Sequence, residues 1–273
     1  MTKLSVLMCV YEKDIDKNFI EAIDSLIKNK KFIDNTIIVI NGYISKIKLN
    51  KINISAKDLK IIQIKLEKNI GFSRALNIGL KYIKTDWVVR FDSDDICVPN
   101  RFLFIKNKIK ELGKNYDVIG TYIEEFNEKN NLKMIRKVPL SFEKIKRSLV
   151  LYNPMNHVSV FFKTSLINSS KDGLFYPLID GFEDYALWIK LIKANKRFIN
   201  IPVVTVLVRT GDGMLKRRGG LKYILGEIQL RVFAMKNMPI TYLPLNFIIC
   251  IFRIFAFSSP IYLKKMIYKL IRN

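Results

Sequence analysis

Short apolar runs alternate with helical segments through the first 120 residues, and this alternation constrains the fold more than any other feature. The runs are brief and rich in β-branched residues, which is typical of parallel strands buried on both faces. They cover Leu4–Val10, Thr36–Ile40, Lys60–Ile64 and Trp87–Phe91. Between them, Asp16–Lys30 and Phe72–Lys84 carry apolar residues at helical spacing. The alternation predicts an α/β fold with a mostly parallel, Rossmann-like sheet flanked by helices.

The rest of the chain continues with elements of the same two kinds. Helical periodicity predicts helices over 98–112, 141–148, 183–194 and 221–236. Apolar runs predict strands over 117–126, 132–138, 158–162 and 198–208. We therefore expect a domain over residues 1–220, with two halves that meet near residue 120, and a C-terminal helical region over 221–273.

The charge balance is strongly basic. Lys and Arg number 47 against 24 Asp and Glu, which gives a formal net charge of +23 at pH 7. Such a field attracts polyanions, namely nucleic acid, an anionic membrane face or phosphorylated substrates. Part of the excess is typical of AT-rich coding, as the run Ile47–Ile54 illustrates. With 49% hydrophobic residues the chain can bury a sizeable core, which argues against global disorder.

Cysteine and histidine are too sparse for a zinc site. Cys9, Cys97 and Cys250 stand far apart, and His157 is the single histidine. This spacing fits no metal finger. An odd and sparse set of cysteines fits a reducing cytosol.

The strongest chemical motif is the cluster Arg90-Phe91-Asp92-Ser93-Asp94-Asp95, which lies at the C-terminal end of a predicted strand. Ligands of open α/β sheets bind at this carboxyl end of the strands. Three carboxylates in four residues repel one another unless a cation or hydrogen bonds offset their charge. Mg²⁺ or Mn²⁺ prefers such oxygen ligands and shares them with substrate phosphates. The alternative is an acidic turn that caps the helix starting near Pro99.

Three further motifs are weaker when taken singly. Asn69–Gly79 places small residues where a helix begins, which suits an anion, although helix packing explains the pattern as well. Glu183 and Asp184 head a predicted helix, where they either match the helix dipole or provide a general base. Arg209–Gly220 is a Gly-rich stretch with clustered cations, which either clamps a pyrophosphate or forms a basic surface loop.

Taken together, the order and spacing of these motifs resemble glycosyltransferase family 2. The resemblance is to the small bacterial transferases that build O-antigen and capsule repeat units, and it covers residues 3–220. It is carried by Val10–Glu12, Asn69–Gly79, Asp92–Asp95, Pro99–Phe102, Asn153–His157, Glu183–Trp188 and Arg217–Gly220. It implies a GT-A fold in which residues 1–120 bind the nucleotide and residues 121–220 bind the acceptor.

The resemblance also implies a reaction. The expected donor is a UDP-sugar carrying a hexose or an N-acetylhexosamine, and the expected acceptor is a saccharide linked to undecaprenyl diphosphate. Mn²⁺ or Mg²⁺ is expected on Asp94 and Asp92, with Asp92 in the outer shell or toward the ribose. Asp184 is expected to be the general base of an inverting displacement, which gives a β-linked product. Glu183 beside it either raises the pKa of Asp184 or holds the acceptor.

Binding roles follow from the same resemblance. The nucleotide sugar is expected to contact Cys9, Tyr11, Glu12, Asn41, Arg74, Asp92, Ser93, Arg217 and Arg218. The acceptor is expected to contact His157 and Trp188, although a packed and satisfied histidine is an equal interpretation of His157. At Asn41 the family usually has an acidic residue that bonds uracil, whereas this chain offers the neutral donor and acceptor atoms of an amide.

The C-terminal region is apolar nearly all round. The run 237–263 contains a single charged residue, Arg253, and three prolines. It is long enough to span a bilayer, but a central Arg costs roughly 2.5–3.5 kcal/mol there. We expect helices that lie in or on the cytoplasmic leaflet of the bacterial inner membrane, with four cations at anionic headgroups, namely Lys264, Lys265, Lys269 and Arg272. The alternative is a lid packed on the domain or a homodimer interface.

Two other classes of protein remain open. A basic nucleic-acid-binding protein fits the charge, although the cations are dispersed and no nucleic-acid motif is recognised, so we expect no nucleic-acid partner. A nucleotidyltransferase also uses acidic metal motifs on an α/β sheet. It normally has a Gly-rich, cationic loop after its first strand, where this chain has Tyr11–Asp14.

Overall fold

The computed structural model describes residues 2–128, 132–169, 173–210 and 220–259. Within these ranges the strands are β1 (Leu4–Val10), β2 (Asn35–Asn41), β3 (Ile61–Leu66), β4 (Trp87–Arg90), β5 (Ile96–Cys97), β6 (Val118–Asn127), β7 (Leu132–Arg136), β8 (Phe161–Lys163) and β9 (Phe198–Arg209). The α-helices are α1 (Asp16–Ile27), α2 (Lys46–Leu59), α3 (Phe72–Leu80), α4 (Arg101–Leu112), α5 (Phe142–Ser148), α6 (Glu183–Lys193), α7 (Leu221–Asn237) and α8 (Leu243–Ser258). Short 3₁₀ helices cover Lys30–Phe32, His157–Ser159, Thr164–Ser169 and Ile240–Tyr242.

The strands of the described ranges join one mixed sheet. Its order is β3-β2-β1-β4-β8-β6-β9-β5, and β7 pairs with β6 outside this path. β3, β2, β1 and β4 are parallel, whereas β8 runs antiparallel to both β4 and β6. Because parallel neighbours end at one edge, the loops that follow Val10, Asn41 and Arg90 come together there. This edge positions the candidate site.

Helices cover both faces of the sheet, and each face has its own apolar core. Successive residues of a strand point to opposite faces. Accordingly, Leu7 and Cys9 of β1 pack in a cluster with residues of α3 and α6, whereas Val6 and Met8 pack with residues of α1 and α4. All seven residues of β1 are buried. The prediction of a strand covered on both faces is therefore confirmed.

Helix α3 packs closely on the sheet through Gly79. A Cβ atom at this position would lie 2.6 Å from Val39 Cγ2 and 2.7 Å from Leu7 Cδ1. A larger residue would therefore push the helix away from β1 and β2. The close packing fixes the start of α3 beside the carboxyl ends of these strands.

The predicted α/β architecture is confirmed, with two local corrections. The sequence pattern does not predict α2, because the buried positions of this helix are Lys48, Ile52, Ser55 and Leu59, and two of them are polar. The run 47–54 lies inside α2. The predicted strand 158–162 overlaps the 3₁₀ turn His157–Ser159, so β8 begins only at Phe161.

Helices α7 and α8 lie where the C-terminal helical region is predicted, and they pack near the start of α6. The ring centroid of Tyr223 lies 4.7 Å from that of Phe182 and 4.8 Å from that of Phe257. Since Phe182 directly precedes α6, this contact joins the C-terminal helices to the acidic start of that helix.

A buried ionic cluster holds the two C-terminal helices together. Glu227 of α7 is 0% exposed and accepts hydrogen bonds from Arg231 Nε at 2.6 Å and from Arg253 Nη1 at 3.4 Å. Arg231 Nη1 also donates to Asn246 Oδ1 at 3.0 Å. A buried carboxylate requires such partners. Arg253 of α8 is therefore turned toward the protein.

Candidate active site

The loop after β1 is tied to the acidic turn after β4 through Asp14. The Oδ2 atom of Asp14 accepts hydrogen bonds from the backbone N–H of Tyr11 at 3.0 Å and from the hydroxyl of Ser93 at 2.8 Å. Burial raises the pKa of Asp14, and these two bonds lower it. Lys48 Nζ donates to the backbone oxygens of Tyr11 at 3.2 Å and Glu12 at 3.0 Å. Three of the expected nucleotide contacts, Tyr11, Glu12 and Ser93, are thereby brought close together from two loops.

Asn41 ends β2 and orders the loop that leads into α3. Its Nδ2 atom donates to Asn69 Oδ1 at 3.1 Å, and its Oδ1 atom accepts from the backbone N–H of Ile70 at 3.0 Å. Both halves of the amide are thus used within the protein, and the base contact expected of Asn41 stays a prediction. Gly71 follows with φ of 89°, a conformation that favours glycine. Arg74 is exposed in the first turn of α3.

A buried cation, Arg90, lies behind the acidic turn. Its side chain is 0% exposed, donates to the backbone oxygen of Leu7 at 3.2 Å and forms an ion pair with Asp92. Its guanidinium carbon lies 5.1 Å from the ring centroid of Phe72. A buried cation is costly unless it is paired with an anion. The ion pair with Arg90 therefore holds Asp92 in position. Arg90 stands in the sequence motif that ends at Asp95, but the motif alone gives it no role.

The carboxylates of the turn have different environments. Asp95 is 3% exposed, and its Oδ1 atom accepts from the backbone N–H of Arg209 at 2.9 Å. Burial, followed by the charges of Asp94 and Asp92, raises the pKa of Asp95 well above its ordinary value. The Nε atom of Arg209 donates to the backbone oxygen of Asp94 at 2.9 Å. Asp95 therefore anchors the turn to the end of β9, while Asp92 and Asp94 are half-buried.

The donor set of Asp92 and Asp94 fits a hard divalent cation. Mg²⁺ is commonly bound by one or two carboxylates, with substrate phosphates and water as the remaining ligands, and Mn²⁺ also favours oxygen donors. In the part of the chain that the structure describes, no group of three His, Cys, Asp or Glu side chains is arranged to hold a metal ion. Two carboxylates at this turn therefore need further ligands from a phosphate-bearing substrate or from water.

A second pair of acids, Glu183 and Asp184, begins α6. Asp184 Oδ2 accepts a hydrogen bond from Asn153 Nδ2 at 2.7 Å, and Asp184 Oδ1 accepts from the backbone N–H of Tyr185 at 2.7 Å. Burial, followed by the charge of Asp184, raises the pKa of Glu183 to about 8. The neutral form of Glu183 is therefore favoured beside the Asp184 carboxylate, which the two hydrogen bonds hold in one orientation. Asn153 is a second residue to which the sequence analysis gives no role.

Tyr176 links the two acidic groups. The pKa of Tyr176 is raised above its ordinary value, mainly by burial, and the positive charge of Arg90 only partly offsets this rise. The charges of three carboxylates raise it further, those of Asp184, Glu183 and Asp92. The Tyr176 hydroxyl also lies 2.9 Å from His157, whose ring contacts Phe72 and Trp188 of α6. Nothing in the sequence pattern singles out Tyr176, which is separated from both motifs along the chain.

His157 is neutral in these surroundings. Burial, with a smaller contribution from the charge of Arg90, lowers its pKa well below the ordinary value. Its Nε2 atom lies 2.9 Å from the hydroxyl of Tyr176. The rings of Phe72 and Trp188 lie at centroid distances of 6.4 Å and 6.1 Å. These contacts fit the interpretation of a packed and satisfied histidine, and its contact with an acceptor stays a prediction.

Two of the residues expected to contact ligands have enclosed side chains, and their ligand contacts stay predictions. Trp188 is 0% exposed and packs at 5.8 Å from the ring centroid of Phe198. Cys9 is 5% exposed, and burial raises the pKa of its thiol to about 12. Both residues support the site from the core behind it. Arg217 and Arg218 lie outside the described residues.

A mixed sheet with this strand order and an acidic turn at the end of a parallel strand defines a GT-A fold of the glycosyltransferase type. Solved structures share the fold. The S. aureus TarS fragment 1–349 in complex with UDP-GlcNAc aligns with a TM-score of 0.69 at 19% identity, over 94% of this chain and 73% of that one. The mannosyltransferase PcManGT from Pyrobaculum calidifontis, in complex with GDP-Man and Mn²⁺, aligns with a TM-score of 0.64 at 15% identity, over 91% of this chain and 69% of that one.

The chain belongs to glycosyl transferase family 2, whose model matches residues 5–168. It is 35% identical over 274 residues to the UDP-Gal:alpha-D-GlcNAc-diphosphoundecaprenol beta-1,3-galactosyltransferase of Escherichia coli. The alignment covers 98% of this chain and 95% of that one. It is 31% identical over 228 residues to the amylovoran biosynthesis glycosyltransferase AmsE of Erwinia amylovora, with 83% of each chain covered. The protein is therefore a glycosyltransferase, which replaces the interpretations as a nucleic-acid-binding protein or a nucleotidyltransferase.

Proposed function

We propose that this glycosyltransferase moves a hexose or an N-acetylhexosamine from a UDP-sugar to a saccharide carried on undecaprenyl diphosphate. The reaction inverts the anomeric centre, takes place at the cytoplasmic face of the bacterial inner membrane and builds a surface polysaccharide such as an O-antigen or a capsule. The similarity to a transferase named for UDP-Gal and a GlcNAc-diphosphoundecaprenol acceptor supports both substrates. The amylovoran relative supports a polysaccharide product.

The observation that carries the proposal is a chain of contacts that joins the two acidic groups. Arg90 pairs with Asp92 of the turn and lies 5.1 Å from the ring centroid of Phe72. His157 then contacts both Phe72 and Trp188 of α6. The arrangement supports one cleft with two acidic sides. The donor diphosphate binds at the 92–95 turn, and the acceptor hydroxyl meets a carboxylate at the start of α6.

Asp184 is the proposed general base. Its carboxylate takes the proton of the acceptor hydroxyl while that oxygen attacks the anomeric carbon, and the nucleoside diphosphate leaves from the opposite face. One displacement on one face inverts the centre, so an α-linked donor gives a β-linked product. The hydrogen bond from Asn153 keeps one carboxylate oxygen in place. Glu183, with its pKa of about 8, offers a hydrogen-bond donor to the acceptor at neutral pH.

Asp94 and Asp92 are the residues that would hold Mn²⁺ or Mg²⁺. When bound, the ion stabilises the negative charge that grows on the leaving diphosphate. The chain's own contribution is to keep the turn in position, through the ion pair of Arg90 with Asp92 and the bond from Arg209 to Asp95. The proposed nucleotide contacts are Tyr11, Glu12, Asn41, Arg74, Ser93, Arg217 and Arg218.

Helix α8 supports attachment to a membrane surface. The segment Ile240–Ser258 is long and apolar enough to cross a membrane by length and composition, with a mean hydropathy of 1.9, and 11% of it is buried. Its exposed large side chains include Phe247, Ile248, Ile251, Phe252 and Phe255. Arg253 contacts the protein instead, because its Nη2 atom donates to the backbone oxygen of Leu151 at 2.8 Å. The Arg that argues against a bilayer span in the sequence is therefore satisfied by the protein itself.

Helix α7 exposes a second apolar row. Leu221, Leu225, Ile228 and Val232 are exposed and recur every three or four residues, so they share one side of the helix. Exposed apolar surface on this scale marks a contact with a membrane or with another protein. The net charge of +23 favours an anionic membrane as the occupant.

A transfer assay tests the proposed function. The full chain is incubated with GlcNAc linked to an alkyl diphosphate, with single UDP- or GDP-sugars, and with Mn²⁺, Mg²⁺ or a chelator. We expect transfer from a UDP-sugar, a β-configured product by NMR, and no product in chelator. Transfer from GDP-sugars alone contradicts the proposed donor, an α-configured product from an α-linked donor contradicts inversion, and full turnover in chelator contradicts the metal role.

A further inference from the structure

A cationic cleft lies outside the catalytic residues described above. Its volume is about 390 Å³, and its lining includes Lys137, Pro139, Lys144, Arg147, Ser148 and Tyr152. The cleft is formed by α5 and by the segments that precede and follow it. None of the proposed donor contacts within the described residues lines it.

The three cations of the cleft are arranged for an anion. Lys144 and Arg147 are three residues apart on α5, so they share one face of the helix, and Lys137 adds a charge from the segment after β7. No carboxylate is among the described lining residues. Within the described ranges, none of the three forms an ion pair. The three positive charges repel one another. A phosphate group bound between them would offset this repulsion, because it attracts each cation.

The cleft is joined directly to the proposed base. Tyr152 lines the cleft, and the next residue, Asn153, holds Asp184 at 2.7 Å. At the other end of this short segment, the Tyr185 hydroxyl donates to the backbone oxygen of Leu149 at 2.6 Å. Consecutive Cα atoms are about 3.8 Å apart. The cleft and the residue that holds Asp184 are therefore joined at adjacent positions of one short segment.

The same segment is joined to the helices with exposed apolar faces. Arg231 of α7 donates to the backbone oxygen of Val150 at 2.8 Å, and Arg253 of α8 donates to that of Leu151 at 2.8 Å. The segment 149–153 therefore contacts three different features, namely the apolar helices α7 and α8, the cationic cleft and the carboxylate of Asp184. A lipid-linked sugar diphosphate carries three matching parts in the same order.

We propose that the cleft of Lys137, Lys144 and Arg147 binds the diphosphate of the lipid-linked acceptor. The inference rests on the proposed function, which supplies the acceptor class, and it adds the residues that recognise the acceptor's charged group. The guanidinium of Arg147 matches two phosphate oxygens, and the lysines act as point charges. Phospholipid headgroups carry similar phosphate chemistry, so the test must separate these two sources.

Equilibrium binding provides the test. The full chain is titrated with a sugar-free alkyl diphosphate in saturating UDP and Mn²⁺, so that the donor site is already filled. In the variant Lys137→Gln/Lys144→Gln/Arg147→Gln we expect the Kd to rise about tenfold or more. The matched control Lys28→Gln/Lys110→Gln/Lys114→Gln removes the same charge from exposed positions near the ends of α1 and α4. We expect the control to keep the wild-type Kd, and thermal unfolding checks that both variants fold.

A transfer assay and a vesicle assay complete the design. With GlcNAc alkyl diphosphate as acceptor, the cleft variant is expected to raise the KM for acceptor and keep the KM for donor. An unchanged Kd for the alkyl diphosphate overturns the inference. If the variant also loses binding to phosphatidylglycerol vesicles, that unchanged Kd assigns the cleft to headgroups. A wild-type chain that binds the alkyl diphosphate through these cations but transfers no sugar to diphosphate-linked acceptors supports the cleft and contradicts the proposed function instead.

Discussion

The side-chain amide of Asn153 donates a hydrogen bond of 2.7 Å to the carboxylate of Asp184. The amide is itself held, since its Oδ1 atom accepts from the backbone N–H of Met155 at 3.2 Å. Asp184 is therefore oriented by a residue that cannot turn away without breaking a second bond. Asn153 is a positioning residue for the proposed base, because it acts through Asp184.

Replacing Asn153 should lower turnover without weakening donor binding. A hydrogen bond to a charged group contributes about 1.5–3 kcal/mol, so Asn153→Ala is expected to lower kcat by about ten- to a hundredfold. The Kd for UDP should stay at the wild-type value. Asn107→Ala, at an exposed position of α4, serves as the control. Equal losses of kcat and of UDP affinity would show that Asn153 supports the fold at large rather than the base.

Removing the carboxylate of Asp94 should remove the response to metal. We expect Asp94→Ala to lose at least about a hundredfold in kcat and to bind UDP with the same affinity in Mn²⁺ and in chelator. Calorimetric titration of UDP measures the second effect without turnover. Asp58→Asn, an exposed carboxylate that pairs with Lys30, is the control. An Asp94→Ala variant whose UDP affinity still depends on Mn²⁺ contradicts the assignment of this residue.

The raised pKa of Glu183 predicts how stability depends on pH. Burial and the neighbouring charge of Asp184 raise this pKa from 4.5 to about 8, against a lowering contribution from Arg90. Between these values the folded chain holds a proton that the unfolded chain has released, so this group's contribution to stability falls as pH rises. Glu183→Gln cannot ionise, and its Tm relative to wild type should therefore increase from pH 5 to pH 9.

The control for this measurement is Glu143→Gln, at an exposed position in the first turn of α5. Its Tm should follow that of the wild type across the same range. Parallel curves for wild type and Glu183→Gln would mean that Glu183 is charged at neutral pH, which would remove its proposed role as a hydrogen-bond donor to the acceptor.

The exposed face of α8 predicts membrane binding that depends on individual side chains. Burying an Ile or Phe side chain contributes about 1.5–3 kcal/mol, so Ile251→Glu and Phe255→Glu should each weaken binding to phosphatidylglycerol vesicles about tenfold or more. Flotation measures the bound fraction. Val203→Glu introduces the same charge at an exposed position of β9 and should bind as the wild type does. If both α8 variants float as the wild type does but a homodimer of the wild type dissociates in the variants, the exposed face of α8 contacts a second copy of the chain instead.

The sheet was predictable because its signal is local. Runs such as Leu4–Val10 are apolar on both faces, and the structure buries every residue of that run. The two-residue strand β5 and the helix α2 have no comparable signal. In α2 the stripe that faces the core includes Lys48, whose ammonium group is satisfied by the backbone oxygens of Tyr11 and Glu12. Tertiary contacts, which sequence periodicity does not report, decide the placement of such a residue.

The residues of the site also divide into those that a local sequence motif reveals and those that only the folded structure reveals. The acids at 92–95 and 183–184 stand in contiguous motifs, so the sequence reveals them. Arg90 and Tyr176 contribute through contacts across the fold, and only the structure brings them together. The family resemblance assigns Trp188 to the acceptor from its place in the Glu183–Trp188 motif. All residues from Tyr185 to Ile189 are buried, so this part of α6 has no face toward a cleft.

The most direct test replaces the proposed base by its neutral isostere. Asp184→Asn keeps the shape of the side chain but removes the charge that accepts a proton, so kcat should fall by about a hundredfold to ten-thousandfold. The Kd values for UDP and Mn²⁺ should match those of the wild type and of the exposed control Asp180→Asn. Turnover near the wild-type rate in Asp184→Asn would contradict the account, because the start of α6 would then lie outside the chemistry of transfer.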